Sequence, residues 1–256
     1  MCLIAIAYRI HPEYPLVLAA NRDEYFRRPT APADFWPEAP QVLAGRDLEQ
    51  GGTWMGITRG GRFAAITNFR EKIPKRSGAR SRGLLVKDYL EGGIPPLDFL
   101  RALSPHGREY NGFNFIIGDA GGLYYFSNRG NGIVEIPPGV HGISNHLLNT
   151  PWSKVERVKR RTQSLLDRSG EELIGALLEM LEDRAPALDS ELSDTGLDPG
   201  WERTLSAPFI ATPEYGTRLS TVILADRRGE VNFVERSFAP GGKGAATVTH
   251  RFRLDR

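Results

Sequence analysis

The sequence predicts an α+β fold in which two antiparallel β-sheets pack within one domain. Three observations predict it: strand patterns recur in pairs, turn-forming residues separate the members of each pair, and helical patterns fill the intervals. The chain has 256 residues, 40% of them hydrophobic, so one core of this size is stable without disulfides or structural metal. We therefore predict a single domain over residues 1–256.

Four predicted hairpins define the sheets. Residues 2–8 and 16–20 are apolar on both alternating faces, which is typical of strands covered on both sides, and a turn-rich segment joins them. Gly60-Gly61 gives the clearest turn signal of the remaining hairpins. Their strands cover residues 53–58 with 62–68, 113–118 with 123–127, and 217–225 with 230–236.

Helical patterns lie between the hairpins, at residues 81–90, 95–103, 151–166 and 171–181. Residues 185–208 are rich in Pro, Asp, Ser and Gly and predict a long surface loop. We expect this segment and residues 25–50 to form loops over a pocket. The basic run from Lys154 to Arg161 is interpreted as a solvated helix face, and the alternative is a surface that meets an acidic partner, a phosphate or a propionate.

The composition excludes several classes of function. The 33 basic and 31 acidic side chains give a net charge of +2, without the concentrated basic face of nucleic-acid-binding proteins. The single cysteine, Cys2, excludes an internal disulfide and a cysteine-cluster zinc site. The apolar run near the start is far shorter than the ~20 residues of a membrane span. We predict a cytoplasmic protein with no metal site, no membrane span and no nucleic-acid partner.

Cys2 is the most informative position for function. If Met1 is removed, the chain begins with a cysteine that carries both a thiol and a free α-amine, whose pKa of about 7.7–8.0 allows proton exchange near neutrality. This is the arrangement of an N-terminal nucleophile activated by its own amine. The alternative is a small apolar residue at the start of a buried strand.

The first predicted hairpin places polar residues beside Cys2. If its loop centres near residues 11–13, the numbers of cross-strand partners sum to about 23–25, so Cys2 lies opposite residues 21–23. These residues are Asn21, Arg22 and Asp23, the first polar residues after an apolar strand. They are candidate functional residues, and the alternative is a strand end with solvated charges.

Six short motifs, in order along the chain, resemble one family. They are Met1-Cys2-Leu3-Ile4, Asn21-Arg22-Asp23-Glu24, Gly51-Gly52-Thr53-Trp54, Thr67-Asn68-Phe69-Arg70, Gly142-Ile143-Ser144-Asn145 and Tyr215-Gly216-Thr217-Arg218. The chain resembles the NRDE family, also called the transport and Golgi organization protein 2 family, from residue 2 to about residue 236. The resemblance implies an N-terminal nucleophile hydrolase fold, a four-layer α-β-β-α sandwich of two antiparallel sheets.

The resemblance also implies an activity and a set of catalytic residues. Bile salt hydrolases and penicillin V acylases, on the same fold, cut amides with an N-terminal cysteine. On their pattern Cys2 is similar to the nucleophile and Asp23 to the carboxylate that orients the amine. Asn68 is similar to their oxyanion-hole segment, Asn145 to a second asparagine near the nucleophile, and Arg218 to a late arginine. The implied reaction is hydrolysis of a non-peptide C–N bond.

One position departs from the hydrolase pattern. The hydrolases carry an arginine three residues before the aspartate, where this chain has Ala20. Arg22 does not simply replace it, because adjacent residues such as Arg22 and Asp23 point to opposite faces of a strand. As substrate-binding residues we predict four side chains: Asn21, Arg22, Trp54 and His146.

A non-enzymatic carrier is the competing hypothesis. Members of the NRDE family are linked to haem movement and to lipid or acyl-CoA balance. His146 or the Cys2 thiolate could ligate haem iron, and the absence of a Cys-x-x-Cys-His motif means that such haem would bind reversibly. The hydrolase hypothesis requires no cofactor, whereas haem is a ligand in the carrier hypothesis. The predicted partner is a small-molecule amide, an acyl ligand or haem.

Overall fold

The computed structural model describes residues 2–73 and 76–255, which form an α+β fold with two antiparallel sheets. The strands are β1 (Cys2–Tyr8), β2 (Leu16–Tyr25), β3 (Thr30–Trp36), β4 (Ala39–Asp47), β5 (Met55–Thr58), β6 (Phe63–Asn68), β7 (Phe113–Gly118), β8 (Leu123–Ser127), β9 (Ile133–Glu135), β10 (Gly139–Ile143), β11 (Tyr215–Ala225), β12 (Glu230–Ala239) and β13 (Lys243–Arg253). The α-helices are α1 (Arg82–Glu91), α2 (Pro96–Leu103), α3 (Ser153–Gln163), α4 (Gly170–Leu181) and α5 (Pro199–Leu205).

The chain divides into two compact units, each with one sheet. The described residues of the first unit lie within Met1–Arg27, Pro138–Ser144 and Leu148–Arg251. Those of the second unit lie within Arg28–Pro137, Asn145–Leu147 and Phe252–Arg256. Met1 lies outside the described residues, so its removal stays a prediction.

The sheet of the first unit has the strand order β10-β1-β2-β11-β12-β13. Leu3, Ala5 and Ala7 of β1 alternate toward a core that they share with apolar side chains of α3 and α4. Ile4 and Ile6, on the opposite face of β1, are also buried. Burial on both faces explains why the strand is apolar throughout.

The sheet of the second unit has the strand order β3-β4-β5-β6-β7-β8-β9, so neighbours in space are neighbours in sequence. Its core combines Phe113 and Phe115 of β7 with Tyr89 of α1 and Leu100 of α2. Gly61, in the turn between β5 and β6, has a φ of 79°, a left-handed conformation that glycine adopts without strain.

The four predicted hairpins and the four predicted helices are confirmed. The pairs β1–β2, β5–β6, β7–β8 and β11–β12 are antiparallel. The predicted register of the first hairpin is also confirmed, because Cys2 pairs with Arg22. Among the described residues, five strands form in addition to the predicted set: β3, β4, β9, β10 and β13.

Two segments expected to be loops contain regular structure. Residues 25–50 include β3 and β4, whose Trp36, Val42 and Ala44 enter the core of the second unit. Prolines and charged side chains occupy exposed positions of these strands and obscure the apolar pattern. Residues 185–208 include α5, where Asp198 caps the helix by accepting hydrogen bonds from the backbone of Gly200 and Trp201.

Candidate active site

Cys2 begins β1, and its cross-strand partner on β2 is Arg22. Directly paired residues of antiparallel strands project from the same face, with Cβ atoms about 4.5–5.5 Å apart. The thiol and the guanidinium therefore share one face at this end of the sheet. Arg22 is buried, with 7% of its surface exposed. The hydroxyl of Ser144 donates a 2.8 Å hydrogen bond to the Cys2 carbonyl and fixes the backbone where β1 begins.

Burial raises the pKa of the Cys2 thiol above its ordinary value. The negative charges of Asp23 and Glu24 act in the same direction, whereas the positive charge of Arg22 acts against them. Arg22, Asp23 and Glu24, near the end of β2, therefore all act electrostatically on the thiol. A raised pKa disfavours the thiolate, so activation of this thiol requires a base.

Asp23 is a buried carboxylate that two strands hold in place. It pairs with Thr217 of β11, and its Oδ1 accepts a 2.7 Å hydrogen bond from the Thr217 hydroxyl. The Thr217 Oγ1 in turn accepts a 2.9 Å hydrogen bond from the backbone N–H of Ile210. Burial raises the pKa of Asp23, while the charges of Lys154 and Arg22 and the Thr217 hydrogen bond oppose that rise.

Lys154 is buried, which corrects its interpretation as part of a solvated face. It is 2% exposed, and its Nζ donates a 2.8 Å hydrogen bond to the Leu205 carbonyl. The signal that could have identified it is helix phase, because Lys154 lies one turn before the apolar Val158. Thr217 was likewise missed as a functional residue, although it belongs to the same motif as Arg218.

Arg218 lies at a register shift in the pairing of β11 with β2, between Thr217 and Leu219. Its Nη1 donates hydrogen bonds to the carbonyls of Tyr25, at 3.0 Å, and Phe26, at 3.3 Å. Burial lowers the pKa of Arg218, and the nearby charge of Arg22 acts in the same direction. These hydrogen bonds brace the backbone where β2 ends.

Asn21 joins β2 to its surroundings through three buried hydrogen bonds. Its amide nitrogen donates to the carbonyls of Leu181, at 2.8 Å, and Pro208, at 2.9 Å. Its Oδ1 accepts a 2.6 Å hydrogen bond from the Ser220 hydroxyl. The protein itself therefore provides partners for both hydrogens of the amide, which gives Asn21 a structural role.

Asn68, Asn145 and His146 lie in the second unit. Asn145 is completely buried, and its Nδ2 donates a 2.9 Å hydrogen bond to the Asn68 carbonyl. Its own carbonyl accepts a 2.6 Å hydrogen bond from the backbone N–H of Arg70. The ring of His146 packs 4.9 Å from that of Phe69, and burial lowers the pKa of the imidazole.

Trp54 is a buried residue of the second unit. Its ring lies over Gly45, where an added Cβ would be 2.4 Å from the ring atom Cζ2. A side chain at position 45 of β4 would collide with this indole, so glycine is required there. The contact is one of core packing.

Residues 2–73 and 76–255 contain no group of three or more His, Cys, Asp or Glu side chains arranged to hold a metal ion. None of the helices within these ranges is both long and apolar enough to cross a membrane.

The fold belongs to the N-terminal nucleophile hydrolase class. A crystal structure of a mutant conjugated bile acid hydrolase from Clostridium perfringens is similar to this chain with a TM-score of 0.51 and 9% sequence identity. The similarity covers 100% of this chain and 97% of that one. Two antiparallel sheets with helices, together with this likeness, confirm the predicted fold class.

The family is established by sequence. Residues 1–240 match the family described as Transport and Golgi organisation 2. The chain is 38% identical over 277 residues to the Transport and Golgi organization protein 2 homolog of Bos taurus, covering 99% of both chains. It is 38% identical over 259 residues to the Homo sapiens homolog, covering 93% of both. The chain therefore belongs to the Transport and Golgi organisation 2 family, as its six motifs predict.

Proposed function

We propose that this protein is a cysteine-dependent amidohydrolase that cuts a non-peptide C–N bond, with Cys2 as nucleophile after removal of Met1. One observation carries the proposal. The chain's single cysteine begins β1 directly opposite a buried arginine, Arg22, and the next residue along β2 is the buried carboxylate of Asp23. Cys2 is half-buried, and a neighbouring cation favours its thiolate, the form that acts as a nucleophile.

The reaction proceeds in two steps. The α-amine of Cys2 takes the thiol proton, and the thiolate attacks the amide carbonyl to form a C–S bond. The C–N bond then breaks, and the departing amine leaves with the proton held by the Cys2 ammonium. Water hydrolyses the thioester, releasing a carboxylic acid and restoring the thiol. No cofactor enters this sequence.

Arg22 and Asp23 have different roles in the proposal. The guanidinium of Arg22 stabilises the thiolate, which burial otherwise disfavours. The Asp23 carboxylate, held by Thr217, orients the α-amine and stabilises its protonated form. The oxyanion roles of Asn68 and Asn145 and the catalytic role of Arg218 stay predictions from the resemblance.

The experiment is an amide-hydrolysis screen with protein whose N-terminus has been verified by mass. Fluorogenic aminomethylcoumarin amides with acyl chains from acetyl to palmitoyl report release of the amine. We expect turnover that Cys2→Ala reduces by about 10³-fold or more and that Asp23→Asn also reduces strongly. Asp226→Asn, which changes a turn carboxylate in the same unit, is the matched control and leaves turnover unchanged.

Two results would overturn the proposal. One is hydrolysis that survives Cys2→Ala at the wild-type rate. The other is the absence of turnover together with stoichiometric haem binding through a histidine that Cys2→Ala leaves unchanged, which is the outcome that the carrier hypothesis predicts.

A further inference from the structure

A groove of about 650 Å³ lies in the first unit, at the end of β2 and the start of β11. Its lining includes three aromatic side chains, Tyr25, Trp201 and Tyr215, and two acidic ones, Asp198 and Glu214. The described residues that line it include no lysine or arginine. The groove therefore combines aromatic faces with negative charge, and none of the residues proposed for catalysis lines it.

The three rings are arranged around Tyr215. The Tyr25 ring lies 5.1 Å from it at an interplanar angle of 74°, and the Trp201 ring lies 6.2 Å from it at 84°. Nearly perpendicular rings present π-faces and edges in more than one direction, unlike a parallel stack. A ligand in the groove therefore meets aromatic surface on more than one side.

The rings are held in place, although two of them are unusually exposed. Tyr25 is 47% exposed and Trp201 is 45% exposed. The Tyr215 hydroxyl donates a 3.3 Å hydrogen bond to the Asp23 carbonyl, and Asp198 caps the helix that carries Trp201. Large aromatic side chains kept exposed on braced backbone are typical of binding sites rather than of a core.

One contact shows that the Tyr25 ring of the groove interacts with a cation. The guanidinium carbon of Arg27 lies 5.2 Å from the centroid of the Tyr25 ring. That distance is within the range of a cation–π interaction. The ring face is therefore already used by a positive group of the chain itself.

We propose that this groove binds an alkylated ammonium group of the trimethylammonium type. Such a cation offers methyl surface to the aromatic faces and positive charge to the ring quadrupoles and the two carboxylates. A plain ammonium ion is more strongly hydrated and makes less use of three rings, while an anion would be repelled by Asp198 and Glu214. The proposal is independent of the hydrolase function.

A choline titration followed by Trp fluorescence and by calorimetry tests the proposal. We expect saturable binding of choline. The uncharged isostere of choline, 3,3-dimethylbutanol, should bind at least about tenfold more weakly. Trp201→Leu should weaken choline binding by roughly threefold to thirtyfold, while Trp201→Phe, which keeps a ring, retains most of it. Glu214→Gln should weaken binding, and Glu13→Gln, at the other end of the β1–β2 hairpin, should not.

A flotation assay distinguishes a soluble ligand from a lipid headgroup. Vesicles of phosphatidylcholine present the same cation as choline, and vesicles of phosphatidylglycerol lack it. Binding to phosphatidylcholine alone, lost in Trp201→Leu, would identify a headgroup site. The proposal fails if neither probe binds, if the uncharged isostere binds equally, or if folded Trp201→Leu and Glu214→Gln proteins, verified by circular dichroism, bind like wild type.

Discussion

Cys2 and Arg22 are direct cross-strand partners, so the thiol and the guanidinium project from the same face of the sheet. Ala20, the position where the resemblance to bile salt hydrolases leads one to expect an arginine, pairs with Ile4 and lies two residues before Arg22 on that face. Arg22 points away from the side chain of Asp23 but toward the same face as the thiol. Arg22 therefore places a positive charge on that face two residues after Ala20.

Arg22→Met tests the electrostatic role of this pair. The substitution removes the charge while keeping an extended side chain, so the thiolate of Cys2 loses its stabilising partner. We expect the alkylation rate of the single cysteine at pH 7 to fall on the order of threefold to tenfold. Iodoacetamide labelling followed by intact mass measures it, with exposed Arg27→Met as the control. An unchanged rate would contradict the assigned role of Arg22.

Asp23→Asn should stabilise the protein while it reduces activity. Because burial raises the folded-state pKa of Asp23, the folded state holds its proton more tightly than the unfolded state does. The stability contributed by that proton is complete below pH about 3.9 and is lost as the pH rises through the raised pKa. At pH 7 we expect Asp23→Asn to raise Tm by about 2–4 °C, or about 1 kcal/mol.

The pH dependence is the check on this prediction. The Tm advantage of Asp23→Asn should shrink as the pH is lowered to 4, where the wild-type carboxyl gains its proton. Thermal melts of both proteins across pH 4–8 measure the difference. A Tm difference that stays constant would show that folding does not shift the pKa of Asp23, and one that grows toward low pH would show that Asp23 is more easily ionised in the folded state. Either result would contradict the prediction.

Thr217→Val should change the acidic side of the pH–rate profile. The substitution removes the hydroxyl that donates to Asp23 Oδ1, so the pKa of the carboxyl should rise further. We expect the acidic limb of kcat/KM to move to higher pH, whereas Thr217→Ser, which keeps the hydroxyl, retains the wild-type profile. If the acidic limb of kcat/KM is the same in Thr217→Val as in the wild type, the ionisation that limits activity at low pH is not that of Asp23.

Asn21→Ala should destabilise the first unit rather than selectively weaken substrate binding. Its side chain makes three buried hydrogen bonds, and the substitution leaves two carbonyls and the Ser220 hydroxyl without their partner. We expect the free energy of unfolding to fall by about 2–4 kcal/mol in urea denaturation. Ser220→Ala, which removes one bond, should cost less. A raised KM with unchanged stability would instead support a substrate-binding role.

Much of the fold could be predicted because its strands form local hairpins. The register of β1 with β2 follows from loop length, so the partner of Cys2 could be predicted to within one residue. Strands β3 and β4 could not be predicted, because their exposed positions carry prolines and charges that resemble a loop. The helix α5 is short, and its capping residue Asp198 lies in a segment whose composition is typical of loops.

The candidate site could be predicted only in part. Residues close in sequence to Asp23 were identified from the hairpin, whereas Thr217 and Lys154 come from β11 and α3. Their approach to Asp23 depends on tertiary packing, which a single strand pattern does not encode. The structural role of Asn21 is also tertiary, because its partners lie about 160 and 187 residues away in sequence.

Intact-protein mass during timed alkylation from pH 5 to 9 tests the central claim most directly. The hydrolase account predicts a chain that begins at Cys2 and a thiol that titrates well below about 8.5, because the adjacent α-ammonium stabilises the thiolate. In a variant with additional residues before Cys2, the α-amine is no longer on the cysteine. Its thiol should titrate above about 8.5, since burial raises the pKa of the thiol. Retention of Met1 in the purified protein, or a thiol that stays unreactive to pH 9, would contradict the account.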